Sequence, residues 1–364
     1  MKIINLIQKP QLRGAEIFAC QLSNHLVDRG HDVIVVSIFP GDSKLPFKGE
    51  IIHLNRSVSK RLFDYGGWKL FNKIIEDFKP DIIQANAADT LKFAVSSKLL
   101  FKWDSKIIFR NANKMGDFID SQMKWQLNKF YINRVDHVIS VSKECEKDFI
   151  KTFKYSENLI NTVEIGVEET AIDKLSNDLS DIFQRGPVLV HIGGFVPEKN
   201  HEGLLKIFAR VKEEYPEIQL VLLGKGKLEI PIKNMVNQIK FGDDVHFLGH
   251  RLDVLEILKS SRAFLLPSFI EGLPGVILEA MYCKTPVVAY DVGGISEVVK
   301  PEETGWLIEK GDEDGFVRAI HEVLNSHSEN ESRINAAKRL IHHKFLNSKI
   351  AERFEAVYEK VVAR

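Results

Sequence analysis

No apolar run in this chain of 364 residues approaches the 18 that a membrane-crossing helix requires, so no spanning segment is expected. The first apolar piece, Met1–Ile7, breaks at Gln8-Lys9-Pro10. It is too short for the core of a secretory signal and reads as a first strand. Cysteine is scarce. Cys20, Cys145 and Cys283 are far apart, odd in number and without a Cys-x-x-Cys, which excludes a zinc knuckle or redox pair. Three reduced thiols in a cytoplasmic protein are expected. Without a secretory signal, Asn55-Arg56-Ser57 and Asn330-Glu331-Ser332 are chance matches to the glycosylation pattern. An excess of charge is also missing: 50 Lys and Arg balance 50 Asp and Glu. That argues against a dedicated nucleic-acid binder. What remains is 44% hydrophobic and 27% charged, an ordinary globular composition. The length suggests two domains, each able to bury a core without staples.

The strands read as continuous apolar runs. Lys2–Ile7 is followed by a loop, Gln8–Gly14, and by helical spacing over Ala15–Arg29, with Ile17, Ala19, Leu22, Leu26 and Val27 on the apolar side. Gly30 ends that helix, and Val33–Ile38 is the next strand. Such β-branched runs suit parallel strands covered on both faces, joined by right-handed crossovers. Further strands are expected at 81–84, 107–109 and 137–141. After a polar segment, Asp173–Arg185, the pattern restarts with strands at 188–194, 220–224, 245–249, 263–267 and 285–289 and a helix over Leu204–Tyr215. The expected architecture is α/β: two doubly wound Rossmann-like domains facing across a cleft. Residues 1–178 would form the first, 179–345 the second, and 346–364 a terminal helix packing back on the first. Asn325–Ser332 reads as a polar loop, and 334–364 as helix with a break near His342–Asn347. Ligands of such sheets bind beyond the carboxyl ends of the strands.

The richest of those loops is 267–281, Pro-Ser-Phe-Ile-Glu-Gly-Leu-Pro-Gly-Val-Ile-Leu-Glu-Ala-Met. A strand ends at Pro267 and a helix starts near Pro274-Gly275, where proline gives up a hydrogen bond that is unused anyway. The amides of Gly275, Val276 and Ile277 would then be free to hold a phosphate. Glu271 precedes that helix and Glu279 lies about two turns inside it. Carboxylates beside an anion site suit neutral donors such as sugar hydroxyls. The plainer alternative is a cap carboxylate and a solvent-facing helix glutamate.

This segment resembles the signature of family-4 retaining glycosyltransferases of the GT-B fold. Other pieces agree in order: Gly193-Gly194-Phe195-Val196-Pro197-Glu198-Lys199-Asn200 is similar to the family's donor-phosphate loop, Gly224-Lys225-Gly226 to its Gly-x-Gly, and 245–249 to its base-binding turn. Thr285–Ala289, Gly293-Gly294 through Glu297, and in the first half Gly14-Ala15-Glu16 and Leu26…Gly30-His31-Asp32-Val33, complete the likeness. It is strong over 188–310 and diffuse over 40–180.

The resemblance implies a nucleotide-diphosphate-sugar donor (UDP or GDP) held mainly by the second domain, and an acceptor held mainly by the first, with no cofactor and no metal. Glu271 and Lys199 would be catalytic, Glu271 on the transferred sugar and Lys199 on the diphosphate. Glu279 would take the ribose, and backbone near His250 and Arg251 the base. Gly14, Gly193, Gly194, Gly224, Gly272, Leu273, Pro274, Gly275 and Val276 complete the donor side. Arg13 in the first loop, and Asn86, Arg110 and Asn113 in loops where the family often has a His, are acceptor-side candidates; Gln84 and Asn111 share those later loops. Departures are Phe195 for the usual Arg, Arg13-Gly14 for two glycines, and Ile165-Gly166-Val167 for Asn-Gly-Val. With Phe195 in that place, the second cation is expected from Arg251, or from Arg13.

Other patterns weigh less. Asp312-Glu313-Asp314 sits at a helix start, where acids cap. Twelve histidines contain no His-Glu-x-x-His, and His342-His343 reads as solvated surface. Lys225-Gly226-Lys227 is no Gly-Lys-Ser/Thr phosphate loop. A nicotinamide dehydrogenase would need Gly-x-Gly-x-x-Gly after the first strand and an acid after the second, and neither is present. A GT-B nucleotide-sugar epimerase and a catalytically silent GT-B partner are the remaining alternatives. Finally, residues 56–154 carry 19 Lys and Arg against 12 Asp and Glu, interleaved with aromatics as in Arg61-Leu62-Phe63, Trp68-Lys69-Leu70-Phe71, Phe101-Lys102-Trp103, Lys124-Trp125 and Lys129-Phe130-Tyr131. Basic and aromatic faces suit the anionic inner face of a membrane and a glycan or lipid-linked sugar acceptor in surface polysaccharide synthesis. Lys stems covering core aromatics would give the same pattern.

Overall fold

The computed structural model describes residues 1–364 except Leu62 and Ser326, with backbone alone over 327–329. The chain divides into two compact units, 1–168 with 346–364, and 169–345. The division falls ten residues before the expected boundary. The polar stretch that suggested 178/179 lies inside the second unit, and its end forms a short helix, α6 (Ser180–Arg185).

In the first unit the strands are β1 (Lys2–Ile7), β2 (Asp32–Ser37), β3 (Ile51–His53), β4 (Ile82–Ala85), β5 (Lys106–Asn111), β6 (His137–Ser140) and β7 (Ile160–Thr162). They pair in the order β3-β2-β1-β4-β5-β6-β7, parallel at every step. The helices are α1 (Gly14–Asp28), α2 (Tyr65–Phe78), α3 (Ala88–Phe101), α4 (Gln122–Ile132), α5 (Lys143–Phe153) and, from the end of the chain, α13 (Asn347–Val362). One sheet face is apolar: Ile4, Leu6, Ile83, Ile107 and Phe109 share a core with Phe71, Phe93 and Phe149 of α2, α3 and α5. The other face is mixed: Ile3, Ile7, Val35, Ile82 and Ile108 are buried there beside the polar Asn5 and Gln84. Asn5 Nδ2 donates to Ser23 Oγ on α1 at 2.8 Å, and the Tyr358 hydroxyl of α13 donates to Gln84 Oε1 at 2.5 Å. Buried donors and acceptors must pair, so these bonds fix how α1 and α13 seat. Glu355 of α13 is held by Arg29 and by His31, whose Nε2 is 2.7 Å away. Val167 bridges Leu346, and Asn347 donates its amide to Val167 O at 2.9 Å.

In the second unit the strands are β8 (Val188–Ile192), β9 (Gln219–Leu223), β10 (Val245–Gly249), β11 (Ala263–Leu266), β12 (Val287–Tyr290) and β13 (Trp306–Ile308). Their order is β10-β9-β8-β11-β12-β13, again parallel. The helices after α6 are α7 (His201–Glu214), α8 (Glu229–Val236), α9 (Val254–Ser260), α10 (Gly275–Tyr282), α11 (Glu313–Asn325) and α12 (His327–Lys344). Leu189, Leu220, Leu222, Leu265 and Val288 meet Phe208, Phe316 and Ile320 in the core. Of the expected polar loop Asn325–Ser332, Ser326 lies outside the described residues, and the rest belongs to α11 and α12. Leu62 of the basic-aromatic run likewise lies outside them. Asp312 accepts from Gly315 N at 2.7 Å and caps α11. His342 is not solvated surface: it is half-buried against the Tyr282 ring at 5.4 Å.

Candidate active site

In an open parallel sheet the ligand crevice opens where the strand order reverses. In the second unit that is between β8 and β11. The loops that follow these strands, 193–200 and 267–275, are sewn together by backbone. Phe269 N donates to Glu198 O at 2.7 Å. Asn200 Nδ2 donates to Pro267 O at 3.1 Å, while its Oδ1 accepts from Gly203 N at 3.2 Å and caps α7. Across this seam Lys199 Nζ reaches Glu271 Oε1 at 2.5 Å. Glu271 itself is buried. The two residues expected to be catalytic are therefore an ion pair, 72 residues apart in sequence.

Pro274 precedes α10 with extended backbone. The amides of Gly275 and Val276 occupy the first two helical positions, which have no intrahelical partner. Ile277 differs from expectation, because its amide donates to Pro274 O at 3.1 Å. The free anion-binding donors at this helix end are thus two, not three. Behind them Gly294 N donates to Gly272 O at 2.6 Å. Gly293 has φ +58, and a side-chain Cβ there would fall 2.1 Å from Glu271 O, so only glycine lets this turn support Glu271. Leu273 is buried beside it.

Glu279 is half-buried on α10. Burial pushes its carboxyl up to about 7, and among the described residues it has no hydrogen-bond or ion-pair partner. It is not a solvated helix glutamate. A carboxyl kept partly protonated and unpaired, about one turn into α10, is open to hydrogen bonds from a ligand.

Gly224 has φ +130 and lies under the first loop; a Cβ there would sit 2.0 Å from Gly193 O. Gly193 N donates to Leu223 O at 2.9 Å and Gly224 N to Gly249 O at 2.7 Å, so the turns after β8, β9 and β10 lie edge to edge. Phe195 is 1% exposed. Its ring stacks on His201 at 4.1 Å, its amide donates to Lys225 O at 3.2 Å, and its carbonyl accepts from Leu228 N at 3.0 Å. The residue that replaces a cation is therefore part of the floor of the loop. His191 and His201, neither readable as site residues from spacing, complete that floor. His191 Nδ1 donates to Leu265 O at 2.9 Å, which leaves Nε2 as a buried lone pair without a partner, near Gly193 and the stem of Lys199. Burial holds His191 well below the usual histidine range and His201 down to about 4, with Lys199 adding to both effects. Both rings are neutral.

Arg251 is committed elsewhere. Its fork grips Asp253 (2.8 and 2.6 Å) and Asp178 (2.6 and 3.2 Å), and the bonds from Arg251 hold the Asp178 carboxyl down to about 2. His250 is exposed next to it.

In the first unit, Arg13 and Gly14 are exposed at the start of α1, and Asn113 is exposed after β5. Asn86 and Arg110 are interior. Asn86 Nδ2 donates to Asn5 Oδ1 at 3.2 Å and to Leu6 O at 3.3 Å. Arg110 lies over the Phe18 ring at 4.6 Å, and burial lowers its guanidinium to about 10. Sequence reasoning missed the polar chain at the carboxyl edge of this sheet: Arg61 bonds Asp89 with two contacts of 2.8 Å, Gln8 donates to Asp89 at 2.6 Å, and Gln11 donates to Glu16 at 2.8 Å. These residues are scattered over some 80 positions, and no local motif announces them.

Two Rossmann-like units, with a Lys–Glu pair and a helix N-terminus at the switch point of the second, are the arrangement expected of the GT-B class. Comparison with known proteins makes the assignment particular. The model described as glycosyl transferases group 1 matches residues 177–340, and the glycosyltransferase family 4 model matches residues 12–170. The chain belongs to this group-1, family-4 lineage of GT-B glycosyltransferases. It is 28% identical to an uncharacterized glycosyltransferase of Methanocaldococcus jannaschii, over 63% of this chain and 60% of that one. It is 24% identical to the N-acetyl-alpha-D-glucosaminyl L-malate synthase of Bacillus anthracis, over 97% and 95% of the two chains. Among solved structures it resembles Anabaena Alr3699/HepE in complex with UDP-glucose, with a TM-score of 0.83, 19% identity, and coverage of 99% and 100%.

Proposed function

We propose that the protein transfers a sugar from a nucleotide-diphosphate-sugar to a hydroxyl acceptor, with retention at the anomeric carbon and without a metal ion. The observation that carries this reading is the Lys199–Glu271 pair at the start of α10. Each partner has a second task once donor arrives. Lys199 turns to the diphosphate, joined by the Gly275 and Val276 amides, and Glu271 is released to the hydroxyls of the transferred sugar. The anomeric C–O bond to phosphate breaks toward an oxocarbenium-like centre, whose stabilisation is electrostatic. The acceptor oxygen forms the new bond on the same face and gives its proton to the departing phosphate. Glu279 takes the ribose hydroxyls, and the backbone near His250 holds the base. UDP is the first nucleotide to test and GDP the second, because the Anabaena structure contains a UDP-sugar.

The acceptor side is read from α4. Met123, Leu127 and Phe130 form one stripe at helical spacing and are 77%, 41% and 43% exposed. Lys124 and Lys129 lie on the same helix, and Arg134 just beyond it stacks on Phe130 at 3.7 Å. An apolar stripe ringed by cations suits the surface of an anionic membrane, and with it a lipid-linked sugar acceptor of surface polysaccharide synthesis. Among the described residues no helix is long and apolar enough to cross a membrane, so attachment would be peripheral. The Bacillus relative is named for a small acid, and a glycan or soluble acceptor is the competing outcome.

The test is thermal stabilisation by a panel of UDP- and GDP-sugars, followed by the anomeric configuration of the product by NMR. A ligand at 100 times its Kd adds about 2.7 kcal/mol. An inverted product would refute retention. A free epimerised sugar nucleotide would replace transfer by epimerisation, and no stabilisation by any donor would favour a silent partner.

A further inference from the structure

A diphosphate carries two phosphates, yet only one cation has been assigned to it. The other cations on the carboxyl edge of the second sheet can be taken in turn. The position resembling the family's arginine is Phe195, buried in the floor. Arg251 is held by two aspartates. Lys310 sits over the Phe269 ring at 5.5 Å, beyond the last strand. Lys225 and Lys227 remain, both exposed, with neither ammonium group in a hydrogen bond or ion pair among the described residues.

Their backbones separate them. Lys225 O accepts from Phe195 N at 3.2 Å and lies 3.6 Å from where a Cβ of Gly194 would stand. Lys225 is thus stitched to the donor-phosphate loop itself. Its side chain then runs along the next turn, with Cε 3.3 Å from the Cβ position of Gly249. The side chain thus passes beside Gly249, the residue before His250, while the stem of Lys199 passes beside Gly193. Two lysines therefore flank one pair of glycines, one toward α10 and one toward the expected base site. A nucleoside diphosphate laid over those glycines has its sugar-bearing phosphate at Lys199 and its nucleoside-side phosphate within reach of Lys225.

We propose that Lys225 is the second cation of the donor site and grips the nucleoside-side phosphate, replacing the cation that Phe195 cannot supply. The inference rests on the donor reading above. Gly249, whose φ of +64 itself favours glycine, leaves the Lys225 stem room to pass.

The experiment is calorimetry on the full chain with UDP, GDP and the matching free nucleosides, using Lys225→Ala, Lys225→Arg, Lys227→Ala, Arg251→Ala and Arg13→Ala. Losing a charge-assisted contact weakens binding by about ten- to a hundredfold. Lys225→Ala should lose that much nucleoside-diphosphate affinity and keep its nucleoside affinity, Lys225→Arg should restore most of it, and Lys227→Ala should match the parent. Parent-like diphosphate binding by Lys225→Ala overturns the proposal, as does a loss confined to Arg13→Ala or Arg251→Ala. Equal loss for nucleoside and diphosphate would make Lys225 a packing residue and overturn it too. A parent that binds neither diphosphate removes the donor reading itself, an outcome distinct from all of these.

Discussion

If Glu279 takes the ribose hydroxyls as a carboxylate, its stronger accepting form, burial works against it, leaving the group protonated about half the time near neutrality. Its carboxyl sits at about 7. The ionised fraction then falls from about nine-tenths at pH 8 to about one-tenth at pH 6, so donor affinity should weaken about tenfold over that interval. The assay is calorimetric titration with an intact nucleotide-sugar. Its phosphates are both esterified, so the terminal-phosphate ionisation near pH 6 of a free nucleoside diphosphate does not intrude. His191 and His201 stay neutral at both pH values and add no slope. Binding at pH 6 should release nearly one proton, visible as a dependence of the heat on buffer ionisation enthalpy. Glu279→Gln keeps an acceptor oxygen but cannot titrate, and its affinity should be flat from pH 6 to 8. Stability has its own sign. The folded carboxyl is raised above the ordinary range near 4.5, so the folded state binds the extra proton and stability falls as pH rises from about 4.5 through 7. The Tm advantage of Glu279→Gln over the parent should therefore grow with pH. A flat parent profile, or the same tenfold slope in Glu279→Gln, would refute the reasoning.

Glu271→Ala should lower turnover by roughly 10²–10³ in a folded protein, and a folded variant with parental turnover would remove Glu271 from the chemistry. Transfer should survive EDTA, because Lys199, Lys225 and helix amides supply the positive charge; abolition by EDTA with rescue by Mg²⁺ or Mn²⁺ would contradict this. The protein should sediment with anionic vesicles and less so at high salt, each near-surface cation contributing about 1 kcal/mol. Met123→Ser combined with Phe130→Ser should release it, and equal recovery with neutral vesicles would make the α4 stripe ordinary surface. Gly224→Ala should be destabilised by at least about 1–3 kcal/mol from its backbone alone, read by urea unfolding, with unchanged stability as the contrary result.

The class of fold was legible because buried parallel strands announce themselves: 33–36, 220–223 and 263–266 are unbroken apolar runs, 188–192 is broken only by His191, and each lies in a strand. The strands that were missed, β3, β7 and β13, are three residues long and close the ends of their sheets. They bury too little to leave a pattern. The helix start at Gly275 was readable from Pro274, but the use of the Ile277 amide by Pro274 O was not, because composition does not distinguish a tight first turn. Arg251 looked like a free cation although one partner, Asp253, is two residues on, and the other, Asp178, is 73 residues away where no local pattern shows it. Asn86 and Arg110 looked like loop residues because a polar residue at a strand end usually is one. Here the face under α1 and α13 carries polar residues among its apolar ones, and Asn86 and Arg110 are buried with them.

The return of α13 to the first unit bears on the order of events at the ribosome. The first unit lacks a fully buried tyrosine, Tyr358, and the partners of Arg29, His31 and Gln84 until the last residues emerge. Residues 169–345 are made in between, which takes about ten to thirty-five seconds at ordinary elongation rates. During that interval the half that was synthesised first is the half that is unfinished. The second unit, whose residues are contiguous, can close on its own core while the first waits with one sheet face partly uncovered. A stop codon anywhere before the final helix would therefore damage the domain at the opposite end of the gene.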